Sequence, residues 1–279
     1  MIIGIVGGLI VISGVIAWWL LIRTEGVYLG RRVVIALYDF YAGRYEQIKA
    51  FAPEYERSLL AEPLMSELAP RTDPLVLDVA TGTGRLPRAL CALPTFDGQI
   101  IGVDLSRRML SEATHLLASD GDRVSWIWCP AERLPFADGS FDVVTCLEAL
   151  EFTDHPAATL TEIIRVLRPG GLLLITNRIN EWLPRRIWTE EQIHSLLQDN
   201  QIGESLTEAW QLDYHKVWGI KDGESAWIGP RPLHEILICP HCGERLVLRG
   251  DGCICPRDST IHYAIGDDGV IELITRRTH

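Results

Sequence analysis

The chain has 279 residues, 47% of them hydrophobic, enough for one full α/β domain with a small module attached and too little for two large domains. Its 26 basic and 37 acidic residues give a formal charge of −11, so no broad basic face offers itself to a phosphate backbone and nucleic acid is disfavoured as a partner. Of seven cysteines, Cys91, Cys129 and Cys146 lie singly in apolar stretches and four crowd near the C-terminus, a distribution that argues against a disulfide framework and for a reducing compartment.

Met1 to Ile22 carries no charged side chain. About 22 residues at 1.5 Å each cover roughly 33 Å, which predicts one membrane-spanning helix over 1–22 with the lipid bilayer as its partner. A cleaved secretory signal is the competing reading, but the run is too long and no Lys or Arg precedes it. Trp18 and Trp19 suit the headgroup layer, and Arg23, Arg31 and Arg32 follow, so the expectation is a single-pass membrane protein with the rest of the chain on the cytoplasmic side. Gly4 and Gly8 form a small-xxx-small pair through which two such helices could pack as a homodimer.

Residues 23–70 read as cap helices, with Tyr38, Phe40, Tyr41, Tyr45 and Phe51 among polar residues and breaks at Pro53 and Pro63. From 71 to 222, short apolar runs alternate with helical stretches. Strands are expected near 75–80, 99–104, 124–129, 141–147 and 172–176, with helices near 86–92, 107–119 and 157–166 between them. Strand and helix in strict turn predict a doubly wound parallel α/β sheet. Arg168-Pro169-Gly170-Gly171 reads as a helix stop and tight turn, 190–199 as a helix, and 204–212 and 214–220 as two last strands. Residues 223–234, rich in Gly and Pro, read as a linker to a module over 235–279.

The first strand, ending in Asp78-Val79-Ala80, runs into Thr81-Gly82-Thr83-Gly84-Arg85 and then a helix. Such a glycine turn brings backbone N–H groups and a helix N-terminus up to a ligand. A dinucleotide site would want a third glycine where Pro87 stands, so the pyrophosphate fingerprint is incomplete, whereas Asp78 before the turn suits a positively charged amino group. The second strand ends at Asp104, which can accept hydrogen bonds from both hydroxyls of a ribose or serve in the N-cap region of the next helix.

Together VLDVATGTG, IIGVDLS, AERLPFADGSFDVV and EIIRVLRPGG resemble the class I S-adenosylmethionine-dependent methyltransferases, nearest to those that methylate quinone precursors and other small molecules. The resemblance covers roughly residues 38–220 and implies a seven-stranded Rossmann-like sheet with S-adenosyl-L-methionine as cofactor. It implies that Asp78 lies near the amino acid part of the cofactor, that Ala80, Thr81, Gly82 and Gly84 approach by backbone, and that Asp104 holds the ribose. Leu105 and Met109 would flank the adenine, Ala131 and Glu132 would meet the ring edge, and Leu147 would close the site at the end of the fourth strand. The family's first glycine is Ala80 here, and the acidic residue expected just before Ala131 is Pro130, which leaves the adenine amino group to main-chain contacts or Glu132.

Glu148 and Glu151 form an E-x-x-E pair that in some relatives continues into a metal-binding histidine, a position taken by Phe152 in this chain. Glu148 is a candidate general base, with Tyr45 or Tyr41 as the alternative, and a solvated helix start is the plainer reading of the two carboxylates. Trp182 to Trp188, with paired Trp and Arg, reads as a substrate cover that rests on the membrane near the acceptor entrance, or as an ordinary packed lid.

Cys239-Pro240-His241-Cys242 is a C-x-x-C knuckle, and Cys253-Ile254-Cys255 a second, irregular one. Two knuckles at this spacing signal zinc, because thiolates from two turns can close a tetrahedron. The segment resembles the short zinc ribbon of activator subunits that partner methyltransferases. There a cysteine would stand at Asp258, so Cys253, Asp258 or His262 is left as the fourth ligand beside Cys239, Cys242 and Cys255. The expected function is methyl transfer to a small apolar acceptor, a quinone precursor or a lipid. The alternatives are an RNA or protein methyltransferase that uses the ribbon for substrate binding, and a non-catalytic membrane scaffold.

Overall fold

The structure is a computed structural model that describes residues 2–180, 187–250 and 252–274. Helix α1 runs Ile2–Trp18, 17 residues. At 1.5 Å per residue such a helix covers about 25 Å, short of a hydrocarbon core of about 30 Å. At Trp19 the winding loosens into a π-helix, Trp19–Arg23, and the Thr24 hydroxyl turns back onto the Leu20 carbonyl at 2.9 Å. Among the described residues no helix is long and apolar enough to cross a membrane, which overturns the spanning helix over 1–22 and the single-pass membrane placement. Hydropathy alone treats the run as one uninterrupted α-helix, whereas the winding changes at Trp19.

A cap follows, built from α2 (Arg31–Tyr41), α3 (Tyr45–Lys49), α4 (Pro53–Glu56) and α5 (Glu62–Leu68). Val34 and Tyr38, one turn apart on α2, face inward, while Phe40 on the opposite side is exposed.

The body is the expected alternation: β1 (Leu75–Val79), α6 (Arg85–Cys91), β2 (Gln99–Asp104), α7 (Arg107–Leu116), β3 (Val124–Trp128), β4 (Phe141–Cys146), α8 (Pro156–Val166), β5 (Leu167–Arg178), α9 (Glu190–Asp199), β6 (Glu204–Ala209) and β7 (Tyr214–Ile220). The sheet runs β3-β2-β1-β4-β5-β7-β6. Its first five strands are parallel, and β7 lies antiparallel between β5 and β6. β1 and β4 are buried along their whole length, which is why they read as near-continuous apolar runs. Alternate side chains feed two cores, Leu75, Leu77 and Val79 on one face and Val76 on the other.

Two segments differ from their expected shape. β5 begins at Leu167, because Leu167 already pairs with Phe141, and the turn read at Arg168–Gly171 is an irregularity within the strand, with Gly170 at φ 72°. The stretch 223–234 is tied to the base of the sheet: Trp227 Nε1 donates to Asp73 Oδ1 at 3.1 Å, and the N–H groups of Ile228 and Gly229 donate to the fully buried Asp142 at 2.9 Å each.

The C-terminal module is a small antiparallel sheet of β8 (Val247–Arg249), β9 (Gly252–Ile254) and β10 (His262–Ala264). Its last strand, β11 (Ile271–Glu272), leaves it and pairs parallel to β3, adding an eighth strand to the seven expected. Arg107, opening α7, clamps this junction with a fork onto Asp268 at 2.7 and 2.8 Å and a third bond to Glu272 at 2.8 Å. Leu237, Cys239 and Tyr263 share one core with Phe136 and Phe141, so the module is packed against the domain.

Candidate functional site

The carboxyl ends of β1, β2 and β4 open into a cavity roofed by α2 and α3. Ala80, Gly82 and Gly84 all take positive φ, at 55°, 58° and 79°. The two glycines answer different demands. A Cβ at Gly84 would come within 2.9 Å of Leu117 and Trp126, whereas one at Gly82 would meet nothing within 4 Å, so Gly82 keeps open the side that faces the cavity.

Asp78 and Asp104 come from neighbouring strands and line the same cavity. Asp78 accepts hydrogen bonds from the hydroxyls of Thr81 and Thr145, each at 2.6 Å. Asp104 accepts from the backbone N–H groups of Gly82 at 2.8 Å and Ser106 at 2.7 Å. Burial pushes each carboxyl up to about 6, against the pull of those donors. Two buried carboxylates, neither in an ion pair among the described residues and only Asp78 within electrostatic reach of Arg85, suit a positively charged ligand that also carries hydroxyl donors, so the donor set fits an amino acid ammonium, a sulfonium and a ribose. Ser106 caps α7 by accepting from Met109 N at 3.2 Å and donates from its hydroxyl to Asp39 of the cap at 2.5 Å.

Of the residues expected at the cofactor, Asp78, Ala80, Thr81, Gly82, Asp104, Leu105, Ala131, Glu132 and Leu147 line this cavity, as do Tyr45 and Glu148. Gly84 and Met109 do not: Gly84 packs against Leu117 and Trp126, and Met109 is turned fully into the core by the winding of α7. Glu132 pairs with Arg31 of α2 at 3.0 Å. Sequence reasoning missed the cap's share of the lining, Arg31, Val34, Ile35, Tyr38 and Phe51, for which the aromatic clustering in α2 and α3 was the available signal. The expected cover Trp182–Trp188 falls largely on 181–186, outside the described residues.

The far wall is held by charge. Arg85, first residue of α6, grips Glu56 of α4 through Nε and Nη2, and donates from Nη1 to Glu148 Oε1 at 2.5 Å. Its guanidinium lies 4.4 Å from the centroid of Phe51 and 4.9 Å from that of Trp210. Glu148 is strained, at φ 52°, with its N–H donating to Thr176 Oγ1 at 2.7 Å. Gln211 donates to the same carboxylate at 3.1 Å and Lys49 stands 3.9 Å away. The Tyr45 hydroxyl is held well above its usual range, first by burial and then by Glu148, so it offers a proton donor.

In the C-terminal module the thiols of Cys239, Cys242 and Cys255 lie within 4.8 Å of one another, and the Tyr263 hydroxyl lies 3.6 Å from Cys239 Sγ. Burial works against ionisation of Cys239, but hydrogen bonds from Tyr263 and from the N–H groups of Cys242 and His241 outweigh it and lower the thiol. Cys253, Asp258 and His262 stand outside this group of three. Asp258 is engaged with Thr260, accepting from its hydroxyl at 2.6 Å and its N–H at 3.0 Å.

Residues 77–175 match the family model of a methyltransferase domain. The chain is 35% identical over 135 residues to the ubiquinone/menaquinone biosynthesis C-methyltransferase UbiE of Desulfotalea psychrophila, a match covering 48% of this chain and 54% of that one. It is 33% identical over 153 residues to the protein of the same name from Roseobacter denitrificans, covering 54% and 60%. The chain thus spans roughly half the length of these curated relatives. Among solved structures, a chain in the complex of the Haloferax volcanii Trm112 methyltransferase activator shares the fold at 21% identity and a TM-score of 0.54, over 67% of this chain and 98% of that one.

Proposed function

We propose that this chain is an S-adenosylmethionine-dependent methyltransferase acting on a small apolar acceptor of the quinone-precursor class. The observation that carries the reading is the pair of buried carboxylates, Asp78 and Asp104, beside a glycine turn whose open side faces the cavity. The relatives named as ubiquinone/menaquinone C-methyltransferases support the acceptor class.

The sulfonium donor, when bound, supplies an activated methyl group, and the chemistry belongs to it. The chain's task is placement. Asp104 would accept from the ribose hydroxyls, Asp78 would face the ammonium, and the backbone of Ala80 to Gly82 would lie against the amino acid part. Leu105 and Ala131 would flank the base, with Glu132 or main-chain groups at its edge. Tyr38, Tyr45, Phe51 and Phe152 give the cavity apolar walls that exclude water and orient a flat acceptor. Glu148, held by Arg85, Gln211 and Lys49, would keep a negative charge near the positive methyl group, and Tyr45 would donate to an acceptor oxygen.

Cys239, Cys242 and Cys255 would hold a structural zinc ion, their three thiolates being the soft ligands that zinc prefers. Calorimetry with S-adenosylmethionine, followed by transfer of labelled methyl to a demethylated quinol, tests the proposal. Absence of donor binding would defeat it, and label entering RNA or protein in place of the quinol would defeat the acceptor class.

A further inference from the structure

A cluster of buried ionisable groups beside the cavity has no part in the reading above. Glu151, 3% exposed, accepts a hydrogen bond from the Tyr214 hydroxyl. Arg178 Nη1 donates to both, at 3.3 Å to Glu151 Oε1 and 3.1 Å to Tyr214 Oη. The three residues come from separate elements, the short 3₁₀ turn Leu150–Phe152 after β4, the start of β7 and the end of β5. Tyr214 and Arg178 line a cleft that shares Phe51, Arg85 and Glu148 with the cofactor cavity, so the cluster opens onto the wall beside which an acceptor would lie. Stability alone is a weak reason for it, because a buried ion pair is often matched by apolar residues of the same volume.

We propose that Tyr214 takes the proton that the ring hydroxyl of such an acceptor gives up and passes its own to Glu151. Phe51 and Tyr214 both line the cleft, so an aromatic acceptor there would meet an apolar ring beside the residue whose hydroxyl is bonded to Glu151. The proposal rests on the methyl-transfer reading. The ring hydroxyl loses its proton to Tyr214 Oη as Tyr214 loses its own to Glu151, and the freed electron pair raises the nucleophilicity of the ring. The ring then forms a bond to the methyl carbon as the carbon–sulfur bond breaks and its electrons stay on sulfur. When a ring carbon is the site, its hydrogen leaves as a proton to the ring oxygen, so one proton in all is left on Glu151. Burial raises the Glu151 carboxyl, Tyr214 and Arg178 pull it down and Glu25 pushes it up, with the net shift upward, which makes it a better proton acceptor than an ordinary carboxylate. Tyr214 is raised as well, by burial first, with Glu151 and Glu148 adding to it and Arg178 opposing. Tyr38 also lies within electrostatic reach.

The test uses the full chain, with 4-nitrophenol as a binding probe and a demethylated quinol as the turnover substrate. Tyr214→Phe keeps the ring and removes the hydroxyl. It is expected to bind 4-nitrophenol at least tenfold more weakly and to lose at least tenfold in kcat, with donor affinity unchanged. Glu151→Gln still accepts the Tyr214 hydrogen bond but cannot take the proton. It should keep phenol binding, lose kcat by a similar factor, and flatten the rising limb of the pH–kcat profile, a change that a structural role would not produce. A wild type that binds no phenol, or variants with wild-type kcat and pH profile, would overturn the inference while leaving methyl transfer standing. A wild type that binds no donor would bring down the methyl-transfer reading, and this step with it.

Discussion

Arg85 and Glu56 form a two-pronged ion pair that fastens the cap to the first residue after the glycine turn, with the two side chains only 11% and 8% exposed. Five more contacts tie cap to body: Glu46 with Thr83 and with Arg88, Asp39 with Ser106, Arg31 with Glu132, and Lys49 near Glu148. Charged and polar pairs thus cross the seam between cap and body at several points, beside the apolar packing of Leu60, Leu64 and Met65.

Removing one partner of the tightest pair should be costly. Glu56→Ala leaves the Arg85 guanidinium buried beside a single carboxylate, and the loss of a buried partner is worth roughly 3–5 kcal/mol. Urea denaturation is expected to show a lower midpoint with the slope unchanged. A midpoint equal to the wild type would mean that the pair is not buried in solution.

The two glycines of the turn should separate by readout. Gly84→Ala drives a methyl group to within 2.9 Å of Leu117 and Trp126 at φ 79°, so it should lower stability by roughly 1–3 kcal/mol. Gly82→Ala adds only backbone strain of about 1 kcal/mol, yet it should weaken donor binding at least tenfold because its methyl occupies the ligand's side. Thermal denaturation and calorimetry on both variants check the contrast.

Donor affinity should depend on pH in a defined window. Asp78 and Asp104 both sit at about 6, raised by burial, and a cationic ligand needs them ionised. Affinity is therefore expected to rise with pH through about 6 and level off above it. The stability sign is opposite. A carboxyl raised in the folded state contributes stability that is complete below its unfolded value near 3.8 and is lost as pH rises through about 6. Saturating donor should accordingly raise the thermal midpoint more at pH 7.5 than at pH 5, and an equal rise at both would contradict the assignment.

The junction between module and domain gives a further prediction. Arg107 binds Asp268 and Glu272 beside the Leu105–Ser106 loop, and Trp128 Nε1 donates to Leu105 O at 2.8 Å while Leu273 N donates to Trp128 O at 3.1 Å. Arg107→Ala removes charge-assisted hydrogen bonds typically worth about 1.5–3 kcal/mol. Protection of the β11 amides from hydrogen exchange is expected to fall, and donor affinity to drop a few-fold because the adenine side of the cavity loosens. Unchanged exchange at Ile271 and Glu272 would count against the clamp.

Much of this was legible in the chain. β1, β2 and β4 announced themselves as buried apolar runs, and Asp78, Asp104 and the glycine turn are local features whose spacing fixes their meaning. The pairs that shape the acceptor wall were not: Arg85 meets Glu148 and Tyr214 meets Glu151 across 63 residues each, and no local pattern encodes such a meeting. Met109 stands in the matching motif position, yet the rotation of α7 set by its Ser106 cap turns the side chain into the core. The N-terminal run misled because hydropathy counts residues and ignores how they wind. Docking of β11 on β3 depends on two residues, too short a stretch to show alternation.

The central claim is that Asp78 and Asp104 together hold a cationic nucleoside. Isothermal titration of S-adenosylmethionine into the full chain and into Asp104→Ala at pH 7.5 tests it most directly. One equivalent bound by the wild type, with affinity at least tenfold weaker in the variant, is the predicted result. A wild type that takes up none, or a variant that binds equally well, would contradict it.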